Sequence, residues 1–599
     1  MNQSGKLARL LPVAAVVAAA LTVSLPAWLT GVPAGSDTIF HASWYRHFSE
    51  QFWAGELYPR WLAGMNGGLG SPVFYYYPPL SHHLTSLLAL FVPAGDYGLR
   101  HLAYGTALSF VASGLTCYLW LRLISTRLGA TAGAILYLLA PYHSVVNPYP
   151  RGAYSELWAF AVMPPVLYFA RRVAFERDSW RASAGLSVSY ALLACTHLPA
   201  TVVFSAVPAA YVYFASGRRA RTALRALAAL ALGAGLAAVY LTPALTMQDA
   251  ASFKDMLANL YFERWLTFTR ANPHDIYGQL LWGALSSASL IVCAALLARR
   301  RPAPEREGDA PTAATSSTSE RDVRANERDA SRAELLFWAV TAALSLFMMT
   351  FASDPVWRLV PVLQKVQFPW RFQLVLCLAV AGAVAAAAGS LRRGFASVNR
   401  RALVFASLIA GCWVYFWAGA ALRAYPDLPR PYQLNEHNLR WLERSRDAPE
   451  YRPALALSNA EDDIETILQN FCGDLRREPR ACVAEGQGTV TVTRAAPRSL
   501  ELRAESAGGL TFRVTQFHFP GWTATLDGRP HPLSAARPDG LLLLNAPAGT
   551  HTIKLTLEPT TPERVGLVIT IASALLLLLP PARTLLPKLR RPRRRATER

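Results

Sequence analysis

The sequence predicts a polytopic α-helical membrane protein with a β-sheet domain near its C-terminus. Only 16% of its 599 residues are charged and 52% are hydrophobic, whereas soluble proteins have about 25% charged residues. The apolar residues gather in blocks of roughly 17 to 25, the length that crosses a bilayer as a helix. The region 425–564 instead contains short segments that alternate between apolar and polar residues, as strands do.

The first apolar block, about 10–30, follows Lys6 and Arg9. It is long for a signal peptide, and no clean Ala-x-Ala cleavage site precedes Asp37, so we predict a retained helix. The positive residues before it place the N-terminus in the cytoplasm and Asp37 outside.

Eleven further spans are predicted. They are 98–122, 128–146, 154–170, two short spans within 183–215, 222–246, 276–298, 334–352, 371–390, 402–423 and 565–582. Residues 183–215 are too long for one ordinary span, so a turn is predicted near His197. With two crossings there, the arginine-rich loops all fall inside, giving twelve helices with both termini in the cytoplasm. A single crossing would put the β-sheet domain in the cytoplasm instead.

The chain divides into three predicted units. They are a transmembrane domain at 1–424 with its first external loop at 31–97, an external β-sandwich domain at 425–564, and a final helix with a basic cytoplasmic tail at 565–599. Residues 299–333 lack apolar periodicity and are predicted to be a disordered cytoplasmic linker.

The predicted strands lie in the second half of the external domain. They include 489–492, 500–503, 510–514 and 552–557. Asp527-Gly528 is a strong signal for a two-residue hairpin turn. These signals together favour a small antiparallel β-sandwich.

The composition excludes several classes of function. The net charge of +20 arises largely from Lys and Arg in short loops, which the positive-inside rule explains, so no nucleic-acid partner is predicted. The sequence has no P-loop, dinucleotide-binding glycine motif, Gly-x-Ser-x-Gly or His-Glu-x-x-His. Cys472 and Cys482 lie in the external polar region, where a disulfide between them is plausible in an oxidising compartment.

Asp37 is the main candidate for chemistry, because it lies about seven residues beyond the first helix, near the depth of a lipid phosphate. A carboxylate can accept the proton of an attacking nucleophile or bind a divalent cation. His41, four residues on, would share its face if the segment is helical. The alternatives are that Asp37 caps the helix that follows it and that His41 is a structural hydrogen-bonding residue.

Three outer-face arginines, Arg60, Arg151 and Arg371, could hold a phosphate with their guanidinium groups. Two simpler interpretations remain open. Arg151 could form a structural ion pair with Glu156, since an unpaired carboxylate at the start of a span is costly. Arg371 could extend towards the lipid head groups.

Other candidate substrate contacts are Glu156, His197 and the tyrosines Tyr76 and Tyr77. The tyrosine rings could stack on sugar faces, whereas an aromatic belt at the membrane interface would explain them without a ligand. His197 could equally cap the turn between two short spans.

The chain resembles the GT-C superfamily of membrane glycosyltransferases, and more closely bacterial membrane proteins labelled "6-pyruvoyl-tetrahydropterin synthase-related". That label does not fit a pterin enzyme here, since no soluble zinc-binding domain is visible. The resemblance rests on Asp37 after the first helix, Tyr58-Pro59-Arg60-Trp61, the run from Phe74 to Leu80, Phe517 to Trp522, and Pro547 to His551.

The resemblance implies a transferase that takes a sugar from a polyprenyl-phosphate carrier at the outer face, with Asp37 as the catalytic or metal-linked acid. Many such enzymes carry a second acid two residues on, where this chain has Ile39. That departure weakens the expectation of a divalent cation, Mg²⁺ or Mn²⁺, and leaves Asp37 as the base, assisted by His41 or Glu56.

The predicted function is therefore inverting transfer of a sugar from a polyprenyl-phosphate donor to a glycan, lipid or protein acceptor at a bacterial inner membrane. Two alternatives are a transporter or flippase of a lipid-linked saccharide, and a non-catalytic scaffold of the cell envelope. No inverted repeat is visible in the hydropathy, which argues against the transporter.

Overall fold

The computed structural model describes the N-terminal membrane region, a central helical region and the C-terminal sheet with its final helix. The described residues are 3–32, 35–95, 98–176, 180–252, 262–263, 266, 283–285, 287–292, 294–295, 317–390, 448–456 and 481–579.

Helices dominate the first two regions. They are α1 (Gln3–Thr30), α2 (Thr38–Trp53), α3 (Met65–Gly68), α4 (Val73–Tyr76), α5 (Leu80–Ser86), α6 (Leu99–Leu121), α7 (Arg127–Leu139), α8 (Tyr154–Phe175), α9 (Trp180–Thr196), α10 (Leu198–Phe204), α11 (Ala206–Ala215), α12 (Ala220–Leu236), α13 (Ala238–Thr246), α14 (Ser317–Met348), α15 (Asp354–Leu359), α16 (Pro361–Gln364), α17 (Gln373–Ser390) and α18 (Thr561–Leu578). A π-helix, Tyr142–Arg151, lies between α7 and α8.

Among the described residues, seven helices are long and apolar enough to cross a membrane, or eight if one bent pair counts as a span. The bent pair is α12 and α13, which meet at 76°. The twelve predicted spans are therefore not confirmed as a count. The span predicted at 402–423 lies outside the described residues, as does most of the one at 276–298.

The structure supports the predicted break near His197 and contradicts part of the predicted linker at 299–333. The segment 183–215 is broken at His197, because α9 ends at Thr196 and α10 begins at Leu198. The linker predicted as disordered at 299–333 is partly wrong, since α14 already begins at Ser317. Charged residues dominate the start of that helix, so apolar periodicity gave no signal for it.

Local capping explains where two of the helices begin. The Thr126 side chain accepts a hydrogen bond from the Gly129 amide at 3.1 Å, which starts α7. Thr560 and Glu563 form a capping box at the start of α18, and the Thr560 amide donates to the Glu563 carboxylate at 2.7 Å.

The described strands form one seven-stranded antiparallel sheet. They are β1 (Ala481–Ala496), β2 (Ser499–Phe517), β3 (Trp522–Leu526), β4 (Arg529–His531), β5 (Ser534–Ala535), β6 (Leu541–Ala546) and β7 (Gly549–Leu557). The order is β4-β3-β7-β2-β6-β5, and β1 also pairs with β2. The two predicted strands at 500–503 and 510–514 are parts of the single long strand β2, and the predicted two-layer sandwich is not confirmed.

The long strand β2 organises this sheet. Its first half pairs with β7, from Ser499 opposite Thr556, and its second half pairs with β6, from Leu510 opposite Ala546. The predicted hairpin is confirmed between β3 and β4, where Asp527 and Gly528 have φ angles of 50° and 81°. Positive φ at both turn residues is the geometry that matches the twist of a hairpin.

The sheet packs directly on the first external loop. Trp61 and Tyr75 of the loop belong to the same apolar core as the inward residues of β2 and β7. The Phe517 amide donates to the Leu69 carbonyl oxygen at 2.7 Å, and the Gln516 amide group donates to the Gly68 carbonyl oxygen at 2.5 Å. The loop and the sheet therefore meet through both apolar packing and hydrogen bonds.

Cys482, at the edge of β1, is disulfide-bonded. Cys472 lies outside the described residues, so its pairing with Cys482 stays a prediction. Cys117, Cys195 and Cys377 are free, and each lies in a helix among apolar residues.

Candidate active site

Asp37 stands at the N-terminus of α2, in the N-cap position, yet its side chain makes no capping hydrogen bond. Its carboxylate accepts instead from the neighbouring Ser36 hydroxyl at 3.0 Å, and the residue is partly exposed. The sequence left open whether Asp37 serves as a helix cap, and the geometry argues against that role.

The backbone around Asp37 is held against the segment that carries Arg151. The Asp37 amide donates to the Arg151 carbonyl oxygen at 2.7 Å. Gly152 adopts a left-handed φ of 63°, and a Cβ there would lie 2.0 Å from the Thr38 hydroxyl oxygen. The two segments approach this closely only because position 152 lacks a side chain.

Arg151 is the last residue of the π-helix. Such helices are rare, and those known often occur at functional sites. The Arg151 Nη1 donates to the Asn147 carboxamide oxygen at 2.6 Å, the Tyr142 hydroxyl at 3.0 Å and the Glu156 carboxylate at 2.9 Å. One nitrogen of the guanidinium therefore donates to three different side chains, which hold the group in place.

Glu156 is the centre of this cluster, with a fully buried side chain. Besides Arg151, its Oε2 lies 3.6 Å from Arg371 Nε and 3.8 Å from His197 Nε2. The Tyr142 hydroxyl donates to Glu156 Oε1. The ion pair between Arg151 and Glu156 that the sequence allowed is present.

Arg371, like Arg151, is buried beside Glu156. Its Nη1 donates to the Val366 carbonyl oxygen, and its guanidinium lies 5.0 Å from the Phe368 ring. Its buried Nε makes no hydrogen bond within the described residues. The predicted extension towards lipid head groups does not fit, because the Arg371 side chain is only 10% exposed.

His41 is buried among aromatic rings one turn along α2 from Asp37. Its ring centre lies 5.5 Å from Trp44, 5.7 Å from Tyr77 and 5.9 Å from Tyr154. Burial lowers the pKa of His41 to about 4, against the opposing effect of Asp37. The imidazole is therefore neutral at pH 7 and suited to hydrogen bonding, whereas a strong base would need a higher pKa.

The structure brings most of the predicted site residues into one neighbourhood. Asp37 interacts electrostatically with His41, Arg151, Arg371 and Tyr77. Glu156 and His197 adjoin the same arginines, as described above. One cluster thus combines a free-standing carboxylate, two guanidinium groups and neutral hydrogen-bonding side chains.

Arg60 and Tyr76 lie elsewhere. Arg60 Nη1 is 3.4 Å from Glu563 of α18, and its Nη2 donates to the Val239 carbonyl oxygen at 2.9 Å. The Tyr76 hydroxyl donates to the Met247 carbonyl oxygen at 2.8 Å. The Nη groups of Arg60 and the hydroxyl group of Tyr76 therefore join the first loop to neighbouring helices.

Sequence reasoning missed three residues of this neighbourhood. Tyr142 and Asn147 fix Arg151, and Glu450, in a short 3₁₀ turn before the sheet, interacts electrostatically with Asp37. The Asn-Pro-Tyr-Pro-Arg turn was a usable signal for Asn147, whereas nothing in the local sequence marks Glu450.

The described side chains that could bind a metal ion do not form a recognisable metal site. In the part of the chain that the structure describes, no three His, Cys, Asp or Glu side chains are arranged to bind a metal ion.

A family model described as "6-pyruvoyl-tetrahydropterin synthase related domain; membrane protein" matches residues 74–418, more than half of the chain. No curated protein sequence matches the chain.

Two solved structures show a weak similarity to this chain. The arabinofuranosyltransferase AftD from Mycobacteria is 18% identical with a TM-score of 0.37, and the match covers 68% of this chain and 27% of that one. This chain thus spans about a quarter of the length of AftD. ArnT from Cupriavidus metallidurans bound to undecaprenyl phosphate is 13% identical with a TM-score of 0.28, covering 65% of this chain and 78% of that one. At these TM-scores the likeness does not establish a common fold.

Proposed function

We propose that this chain, which belongs to the 6-pyruvoyl-tetrahydropterin synthase-related family of membrane proteins, is a membrane glycosyltransferase. It would move a sugar from a polyprenyl-phosphate donor to an acceptor on the extracytoplasmic face. The observation that carries the proposal is a carboxylate free of capping duties, Asp37, beside the two buried guanidinium groups of Arg151 and Arg371.

The proposed reaction is a single displacement. The acceptor hydroxyl attacks the anomeric carbon of the sugar while Asp37 takes its proton. The bond between that carbon and the phosphate oxygen breaks, and the electron pair leaves with polyprenyl phosphate. Attack from the face opposite the leaving group inverts the anomeric centre.

The two arginines have different proposed parts. Arg371 would bind the phosphate, because a guanidinium matches phosphate geometry and its Nε, 3.6 Å from the Glu156 carboxylate, makes no hydrogen bond among the described residues. Arg151 is already fixed by Glu156, Tyr142 and Asn147. It would add positive charge to the site and hold the Asp37 segment in place.

Neutral side chains would orient the sugar. His41 is uncharged at pH 7 and ringed by aromatic residues, a setting that suits sugar hydroxyl groups and apolar sugar faces. Tyr77 and His197 adjoin the same cluster. Arg60 and Tyr76 are left out of the proposed site, because the Nη groups of Arg60 and the Tyr76 hydroxyl group bind other parts of the protein.

The remaining parts of the prediction are proposed in the same way. The sheet domain would lie outside a bacterial inner membrane, both termini would be cytoplasmic, and the units would be 1–424, 425–564 and 565–599. The packing of the sheet on the first external loop supports an external position, since two regions in contact lie on one side of the membrane.

The test is a transfer assay with the full-length protein in liposomes, using a panel of polyprenyl-phosphate sugars. Wild type should release polyprenyl phosphate from at least one donor. Asp37→Asn should lose about 10²-fold to 10⁴-fold in rate, the usual size of a general-base effect. Glu50→Gln, at the exposed far end of the same helix, is the matched control and should be unchanged.

Two results would overturn the proposal. The first is the absence of release from every donor by protein shown to be folded. The second is a folded Asp37→Asn variant that is as fast as wild type. Movement of an intact lipid-linked saccharide across the bilayer, without cleavage, would favour the transporter.

A further inference from the structure

A short segment just before the sheet, Ala448–Ala456, runs across the first external loop. It is tied to the turn after α13 by two backbone hydrogen bonds. The Ser252 amide donates to the Arg452 carbonyl oxygen at 3.0 Å, and the Ala454 amide donates to the Ala250 carbonyl oxygen at 3.0 Å. These bonds fix the path of the segment past the active site.

The side chains of the segment pack on the aromatic rings that surround His41. The Tyr451 ring lies 5.6 Å from Trp44 and 6.2 Å from Tyr77. Ala448 is buried in the cluster that contains Trp44. The residues on both sides of Glu450 are therefore held against the walls of the proposed sugar site.

Glu450 itself is partly buried and lies between these two contacts. Its carboxylate interacts electrostatically with Asp37, and burial together with that negative charge raises the pKa of Glu450. Two carboxylates in one small space repel each other. A ligand that offers several hydrogen-bond donors would stabilise both carboxylates, because each of them can accept hydrogen bonds.

We propose that Glu450 is a specificity-determining residue of the active site, which accepts a hydrogen bond from a second hydroxyl group of the acceptor while Asp37 receives the proton of the attacking one. This inference rests on the proposed glycosyl transfer and narrows it. Among glycan, lipid and protein acceptors it selects a glycan, because a sugar presents neighbouring hydroxyl groups. An acceptor with one hydroxyl group would leave Glu450 without a partner.

The experiment separates Glu450 from the rest of the reaction by changing the acceptor. Full-length protein in liposomes is given one active polyprenyl-phosphate donor with water alone, with 1-octanol, or with octyl β-glucopyranoside and octyl α-mannopyranoside. In Glu450→Gln, the KM for the better octyl glycoside should rise about 10-fold to 100-fold, as expected for a lost hydrogen bond to a charged group. Transfer to water and to octanol should change much less than transfer to the glycoside and to the same extent in both, because neither acceptor offers a second hydroxyl group to Glu450.

Glu485→Gln, an exposed acid on β1, is the matched control and should match wild type in all reactions. If Glu450→Gln does not fold, Glu450→Asp keeps the charge on a shorter side chain and should show the same selective rise in KM. Equal loss with water and glycoside, no change with either, or no stimulation of wild type by any octyl glycoside would overturn the inference. The absence of release from every donor would instead overturn the proposed function.

Discussion

The backbone amide of Asp37 donates a hydrogen bond to the carbonyl oxygen of Arg151 at 2.7 Å. This bond joins the proposed base to the segment that ends in the buried Arg151, although the two residues are 114 positions apart. Because it is a backbone bond, it fixes the spacing between the two backbones whatever rotamers the side chains adopt. Asp37 remains in place even though its own side chain is free of structural duties.

Gly152→Ala tests this junction. The new Cβ would lie 2.0 Å from the Thr38 hydroxyl oxygen at a left-handed φ of 63°, so the Asp37 segment must move and transfer should fall at least 10-fold. Gly217→Ala is the control, because it has a φ of 72° with nothing within 4 Å. Gly217→Ala should lose about 1–2 kcal/mol of unfolding free energy from backbone strain alone, and Gly152→Ala should lose more, because its Cβ also collides with Thr38. Equal transfer rates in the two would contradict the prediction.

Arg151→Ala should destabilise the protein strongly. It leaves Glu156, whose side chain is 0% exposed, with a poorly compensated charge, and removing one partner of a buried pair costs about 3–5 kcal/mol. Thermal unfolding in detergent micelles measures the effect. The double variant Arg151→Met with Glu156→Gln should recover most of the stability and little of the transfer. Recovery of full transfer would show that the pair is only structural.

Arg371→Gln should lower kcat more than it raises the KM for the donor, because the proposed interaction strengthens as charge develops on the leaving phosphate. Loss of one such electrostatic contact typically costs about 10²-fold to 10³-fold. Arg358→Gln, whose side chain is 52% exposed, is the control. Steady-state kinetics at varied donor concentration distinguishes a fall in kcat from a rise in KM. A change in KM alone would show that Arg371 does not stabilise the transition state.

Gln516→Ala should loosen the sheet from the first external loop. The Gln516 side chain accepts from the Trp61 indole at 3.0 Å and donates to the Gly68 carbonyl oxygen at 2.5 Å. Each buried group left unpaired costs about 1–3 kcal/mol. Hydrogen exchange should show faster exchange at Phe517, whose amide binds Leu69. The exposed Gln487→Ala should leave that exchange unchanged.

The hairpin of the sheet should be stabilised over a limited pH range. The His551 imidazole lies 2.7 Å from the Asp527 carboxylate, and this hydrogen bond raises the pKa of His551 and lowers that of Asp527. The histidine contribution is full below about pH 6.5 and is lost as the pH rises through the raised pKa. The aspartate contribution is full above about pH 4 and is lost as the pH falls through the lowered pKa.

Hydrogen exchange at Thr552 provides the measurement, because its amide donates to Asp527 at 2.8 Å. Protection, corrected for intrinsic exchange, should be greatest between about pH 4 and 6.5. Asp527→Asn should remove this maximum. His531→Asn, on the neighbouring strand, should keep it, and a flat profile in wild type would contradict the prediction.

Much of the helical and strand content could be predicted because it depends on local periodicity. The apolar block at 98–122 corresponds to Leu99–Leu121, and the block at 154–170 lies within Tyr154–Phe175. Asp527-Gly528 predicted its hairpin because only a few residue types accept two positive φ angles. By contrast, the helix that begins at Ser317 was missed, since its first residues carry charge and no apolar stripe.

The candidate site also divides into features that the local sequence predicts and contacts that only the folded structure shows. The sequence by itself determined that Asp37, Arg151 and Arg371 stand next to apolar blocks, because hydropathy and turn residues are local properties. Only the tertiary structure decided that these three share one cluster, that Arg60 is bound to Glu563, and that Glu450 interacts electrostatically with Asp37. The physical reason is that such contacts join side chains more than a hundred residues apart, and their partners leave no trace in the local pattern.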